Sequence, residues 1–153
     1  MRKTEAEMGG RGEALQVLAQ APVVHLGLSA GGRPYVVPLF FALVGETLYL
    51  HTGRAGRKMD MLAANPEVCL QAEVGVELRP ADQPCRWGAA YQSVVAFGRA
   101  ELVEEAGEKR AALAALMERY AGGGGRWSFP EQKLAATAVV KVALREIHGR
   151  REG

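Results

Sequence analysis

Hydrophobic positions along this chain recur with two different periods, and the switches between them divide it into elements. Glu13-Ala-Leu-Gln-Val-Leu-Ala-Gln20 carries apolar residues at helical spacing and stops before Pro22, which predicts a short lead-in helix. From Val23 to Ser29 the period drops to two, with Val24, Leu26 and Leu28 alternating with Val23, His25 and Gly27 as in a half-buried strand. Ala30-Gly31-Gly32-Arg33-Pro34 supplies glycines that accept positive φ, so the chain is expected to turn back there. Tyr35 to Val44 and Thr47 to Thr52 are rich in aromatic and β-branched residues and are separated by Gly45-Glu46, a second tight hairpin. The expectation is a meander of three antiparallel strands. Arg57 to Ala64 returns to helical spacing with Met59, Leu62 and Ala63 on one side. Asn65-Pro66 ends it, because proline disfavours helical geometry in the residue before it.

Val68 to Val76 resumes strand character, Arg79 to Pro84 makes a loop with two prolines, and Tyr91 to Val103 reads as a long strand pairing antiparallel with the preceding one. Between Glu108 and Tyr120, the residues Ala112, Leu113, Leu116, Met117 and Tyr120 fall at three- and four-residue spacings, and Gly122 onward terminates that helix. Gly122 to Gly125 is the one low-complexity stretch and reads as a flexible helix exit. Thr137 to Ile147 alternates again and predicts a sixth strand. The pattern is α+β and mainly antiparallel, with six strands closing into a barrel flanked by a few short helices.

Composition narrows the class. A chain of 153 residues is about one domain long, and residues 1–12 are polar and expected to be mobile. Its 48% hydrophobic and 24% charged residues include no apolar run long enough to cross a bilayer, which argues against a membrane role. The N-terminal MRKTEAEMGGRGEA lacks the apolar centre of a secretory signal, so the expected location is the cytoplasm. A net charge of +2, with both signs interspersed, offers little of the clustered basic surface that nucleic acids require. Cys69 and Cys85 are too far apart for a metal knuckle and too few for a disulfide framework. Both are expected as reduced thiols, Cys69 buried and Cys85 in a loop. His25 and His148 lack ligand partners at helpful spacing and are read as structural, with no metal.

Chemistry concentrates in Leu50-His51-Thr52-Gly53-Arg54-Ala55-Gly56-Arg57-Lys58-Met59. A strand end passes through two glycines into a helix start, where unpaired N–H groups and cationic side chains converge as a phosphate monoester needs. The glycine spacing before Lys58 is too short for a nucleoside-triphosphate loop, and no Ser or Thr follows that lysine. An opening from an antiparallel hairpin also excludes a dinucleotide fingerprint. The competing reading is that Arg54, Arg57 and Lys58 are solvated charges. The helix dipole disfavours cations in a first turn unless an anion is present.

Five stretches in order carry a resemblance. They are Gly32-Arg33-Pro34-Tyr35-Val36-Val37-Pro38-Leu39, Leu48-Tyr49-Leu50-His51, Gly56-Arg57-Lys58, Asn65-Pro66-Glu67-Val68-Cys69 and Tyr91 through Ala100. From about Val23 to Gly149 the chain resembles the pyridoxamine 5′-phosphate oxidase-like flavoproteins, in particular their nitroimidazole-resistance branch. The resemblance implies a six-stranded split barrel that forms a homodimer, with flavin mononucleotide (FMN) in the clefts between subunits. By position, Arg57 and Lys58 would grip the phosphate, and Leu50, His51 and Thr52 would lie beside the ribityl chain or ring. Val36, Val37, Pro38 and Leu39 would line the isoalloxazine, and Ser93 would make a polar flavin contact. Trp87 and Tyr91 would supply aromatic walls. Counterparts of the name-giving enzyme's substrate residues are missing between Phe129 and Gly153, which argues against pyridoxamine phosphate oxidation.

Each assignment has a plainer alternative. His51 also fits a surface residue, Ser93 an outward position on an alternating strand, and Val37 and Pro38 ordinary barrel core. The expected function is that of an oxidoreductase whose flavin passes hydride or electrons to a small organic acceptor such as a nitroaromatic. No catalytic side chain is assigned beyond His51 as a candidate. The alternative is a flavin- or haem-binding module without turnover, and a deazaflavin would suit the same cations.

Overall fold

A computed structural model describes residues 9–122 and 124–153, so most of the expected mobile start and Gly123 of the glycine run lie outside the described residues. In chain order the elements are α1 (Arg11–Gln20), β1 (Val24–Ala30), β2 (Arg33–Leu39), β3 (Ala42–Val44), β4 (Thr47–Gly53), α2 (Arg57–Ala64) and β5 (Glu67–Arg79). They continue with β6 (Gly88–Val103), α3 (Ala106–Ala121), α4 (Glu131–Ala136) and β7 (Thr137–Glu152). Arg11 and Gly12, grouped with the mobile start in the sequence reading, instead open α1. The Arg11 guanidinium donates to Glu46 Oε1 at 2.5 Å and to the Leu144 carbonyl at 2.7 Å.

One antiparallel sheet runs in the order β2-β1-β5-β6-β7-β4-β3. Laid flat, it would hold β2 and β3 about 29 Å apart at about 4.8 Å per strand. Only Phe40 and Phe41 join them, however, and that link reaches no more than about 11 Å. The sheet therefore curls until its two ends meet at this crossover. Its inner face is the core, where Leu26, Leu48, Leu70, Val94 and Val142 are all essentially inaccessible. Ala14, Val17 and Leu18 of α1 plug one end of the barrel, and Met61 of α2 packs at the other.

The α+β split barrel is thus borne out, with seven strands where six were expected. Tyr35–Val44 is one extended run by composition, but its first part pairs with β1 and its last part with β4. The expected three-strand meander is corrected on the same ground. The β1–β2 hairpin, turned by Gly31 (φ 57°) and Gly32 (φ 77°), stands at one edge of the sheet, and the β3–β4 hairpin stands at the other.

Helix α3 lies on the outer face of β4 and β7, where Ala112 and Leu113 pack with Val103, Val139 and Tyr49. The Glu105 carboxylate caps it by accepting from the Gly107 and Glu108 N–H groups. Its last turn clamps the crossover. Arg119 stacks 4.2 Å over the Phe41 ring and donates to the Ala19 carbonyl at 2.7 Å, while the Tyr120 hydroxyl accepts from the Phe41 N–H and donates to the Pro22 carbonyl.

Candidate functional site

The double allegiance of the Tyr35–Val44 run opens a split in the barrel. β3 covers only Thr47–Tyr49 of β4, so Leu50–Gly53 pair with β7 on one side and with no strand on the other among the described residues. β2 likewise pairs with β1 alone. Two strand edges with unspent main-chain groups therefore diverge from Phe40-Phe41, and the gap between them widens toward the β4–α2 loop.

The β2 edge has an unusual set of polar groups. Pro34, Val36 and Pro38 share one parity and so present their main chain to one side. Prolines have no N–H for the β1 ladder, which places that side toward the split. It displays three carbonyls and a single donor, the Val36 N–H.

The wide end of the split is closed by the N-terminus of α2. Gly56 precedes it with φ 123° and ψ 178°, a backbone conformation that L side chains rarely adopt, and no side chain caps the helix. The first-turn N–H groups stay free to meet an anion. Arg57 lies 5.3 Å from the centroid of the Tyr35 ring, so the loop leaving β4 carries a cation across the split to β2. Among the described residues neither Arg57 nor Lys58 makes a hydrogen bond or ion pair with another side chain, and no carboxylate neutralises them.

The structure brings nine of the sequence-derived site residues to this split: Val36, Val37, Pro38, Leu39, Leu50, His51, Thr52, Arg57 and Lys58. They contribute in different ways. Val37 and Leu39 turn their side chains to the core and Leu50 is 2% exposed, so these three offer the split only main chain. Val36 and Pro38 face outward. Thr52 shares the inner side with Leu50, whereas the exposed His51 points to the outer face of β4, beneath α3 and α4.

Ser93 is not part of this group. It sits on the outer face of β6 opposite Glu73 and Arg150, ten residues from the β6 end that lies near the split. Tyr91 and the exposed Trp87 lie at that same remote end.

Three further side chains shape this end of the barrel, and the sequence pattern singles out Arg54 alone among them. Tyr35 had no signal beyond its strand, yet it seats Arg57. Arg54, read with the phosphate loop, spends its Nε on the Ala135 carbonyl at the end of α4. Lys109, 6% exposed, donates to the adjacent Leu134 carbonyl; burial pushes its ammonium below the usual lysine range, and the Arg54 charge adds to that. His25 bonds Gln71 through Nδ1 at 3.1 Å, and Cys85 is exposed in a one-turn helix at Pro84–Arg86. Cys69 is half-buried, and burial raises its thiol pKa. No helix among the described residues is long and apolar enough to cross a membrane.

The fold recurs in solved structures. A protein from Bacteroides thetaiotaomicron described as a 5-nitroimidazole antibiotic resistance protein superposes with a TM-score of 0.82 at 29% identity, over 96% of this chain and 90% of that one. The flavocytochrome Anf3 of Azotobacter vinelandii gives 0.86 at 24% identity, over 100% of this chain and 72% of that one. An FAD- and haem-binding protein of Mycobacterium smegmatis gives 0.87 at 22% identity, over 97% and 74%. At these identities the last two speak to the fold. No curated protein matches the chain. The family model described as pyridoxamine 5′-phosphate oxidase matches residues 10–151, spanning both edges of the split and the Arg57-Lys58 helix start, and the chain belongs to that family.

Proposed function

We propose that this chain binds FMN in the split between β2 and β4 and acts as a flavin-dependent oxidoreductase toward a small organic acceptor, a nitroaromatic being the first to test. One observation carries the reading: the gap between two unpaired strand edges opens onto a helix N-terminus that presents free N–H groups and two cations without a counter-charge. Such a site suits a flat ring with polar edges tethered to a phosphate monoester. Arg57 and Lys58 would hold the phosphate, Thr52 and the main chain of Leu50 and His51 the linker, and the β2 edge the ring. There the lone Val36 donor among three carbonyls rewards a ligand with mixed donors and acceptors.

When bound, the flavin supplies hydride or electron transfer; the protein's part is to orient it, exclude water and set the polarity at its edge. A second copy of the chain completes the reading. Val36, Val76, Leu78, Trp87 and Phe97 are more than 40% exposed, more large apolar surface than a solitary small domain needs to show. Ser93 lies on the same outer side of the sheet as Phe97, and in such a homodimer it would contact the flavin of the partner subunit rather than that of its own chain.

Absorbance and mass of the purified protein test the proposal. Oxidised-flavin bands, FMN released on denaturation and twice the chain mass by light scattering support it. A Soret band would transfer the chain to haem carriage, and a colourless protein with no flavin affinity would end the reading.

A further inference from the structure

Beside the split, on the other side of β4, is a half-enclosed cavity of about 220 Å³ whose walls are Leu116 and Met117 of α3, Phe129, and Leu134 of α4. Three polar side chains break this apolar lining, His51, Lys133 and Thr137. The Thr137 hydroxyl donates to the Lys133 carbonyl at 2.8 Å, whereas the side chains of His51 and Lys133 have no hydrogen-bond or ion-pair partner among the described residues. We propose that this cavity is a binding site for a second small molecule, a single planar ring bearing one anionic substituent.

Size sets the ring count. An apolar protein cavity of about 150 Å³ takes benzene, and drug-sized ligands occupy roughly 300 Å³ or more. A volume between these holds one ring and a substituent. Chemistry sets the charge: the cavity's ammonium group, Lys133, stands at its edge without a carboxylate, and the His51 imidazole presents a further hydrogen-bonding nitrogen beside it.

The walls are built rather than incidental. Helix α4 has only six residues and little stability of its own. Two cations pin it, because Lys109 Nζ holds the Leu134 carbonyl and Arg54 Nε holds the Ala135 carbonyl. Leu134 and Lys133 are thereby fixed over the cavity before any ligand arrives, which lowers the ordering cost of binding. The cavity and the flavin split lie on opposite sides of β4 and share His51, which gives its main chain to the split and its imidazole to the cavity.

Calorimetric titration of the 153-residue chain with benzoate, benzamide and 1-naphthoate tests the proposal. Saturable benzoate binding is expected, with several-fold weaker binding of benzamide and none of naphthoate, whose second ring exceeds the volume. Leu116→Trp fills the cavity and is expected to abolish benzoate binding. Lys133→Gln should weaken benzoate several-fold, the effect of a partly exposed charge pair, and leave benzamide unchanged. FMN titration of each variant reports folding and the neighbouring site independently. If Leu116→Trp loses FMN affinity as well, Met117→Phe at the more exposed rim takes its place. Benzoate binding that survives the filled cavity, equal affinity for naphthoate, or no benzoate binding in a protein that binds FMN overturns the proposal and leaves the flavin reading intact. Benzoate binding in a chain without FMN affinity does the reverse.

Discussion

The β5–β6–β7 side of the barrel and the β2/β4 side use the same main-chain chemistry to opposite ends. On the first, β6 is paired along both edges, with Glu67–Arg79 on one flank and Thr137–Glu152 on the other. Almost every N–H and C=O there is spent on the fold. On the second, one run of chain divides its pairing between β1 and β4 and leaves two edges open. Stability belongs to the paired half, and recognition is available only where pairing stops. Substitutions should therefore separate cleanly, those beside β6 acting on unfolding and those at the split acting on ligand.

The largest effect is expected at Gly98, where β6 passes so close to β7 that a Cβ would lie 2.4 Å from the Ala143 carbonyl oxygen and 2.7 Å from Val142 Cγ1. Neither neighbour is free to withdraw, so Gly98→Ala should cost about 3 kcal/mol of unfolding free energy in urea. A loss below about 1 kcal/mol would mean that the paired half is more yielding than its register implies.

Next in size are Arg57→Ala and Lys58→Ala. Each is expected to weaken FMN by about 1.5–3 kcal/mol, at least tenfold, and riboflavin far less, with the flavin-free urea midpoint unmoved. Equal losses for the two flavins would place the phosphate elsewhere.

A smaller effect should appear at Glu108, which ties α3 to the outer face. Its carboxyl is held below the usual range first by the Tyr49 hydroxyl, which donates at 2.8 Å, and then by the Lys141 ammonium at 3.2 Å. A carboxylate depressed in the folded state adds stability above its unfolded pKa, near 4.3, and loses it as pH falls through the lower folded value. Thermal stability should hold from neutrality to about pH 5 and then decline with a component that Glu108→Gln removes. An identical acid limb in the variant would discard this pair as a contributor.

The smallest effect is expected from His51→Ala. Its ring points away from the split, so FMN affinity should change by less than about 1 kcal/mol, as for loss of one neutral hydrogen bond at most. A loss matching that of Arg57→Ala in fluorescence titrations would bring the imidazole into the flavin site.

Legibility in the sequence followed the same division. The sequence pattern predicts helix α2 at its observed limits, because Gly56 and Asn65-Pro66 punctuate it locally. The sequence pattern ends β5 and β7 short of their observed limits. Gly75, at φ 65° within a register shift between Val74 and Glu77, looks like a strand end when it is a bulge, and the charged Arg150-Arg151-Glu152 hide the last turns of β7's ladder. α4 is too brief for a helical period to show. The exchange of partners at Phe40-Phe41 left no mark at all, since an aromatic pair continues the strand pattern and the choice between β1 and β4 is made by the closing barrel. For that reason the split's residues were recognisable one by one, while its geometry, the outward turn of His51 and the separation of Ser93 were not.

Pro34 and Pro38 also govern how copies of this chain can meet. An open strand edge is a template for a strand from another molecule, the usual beginning of edge-to-edge aggregation. On the split side of β2 an incoming strand finds the Val36 N–H as its one donor, where an unbroken edge would offer three. The protein thus keeps this edge open to a small ring with complementary polar atoms while refusing it to a polypeptide, and β2 offers a crowded solution of ligand-free chains no continuous ladder along which to polymerise.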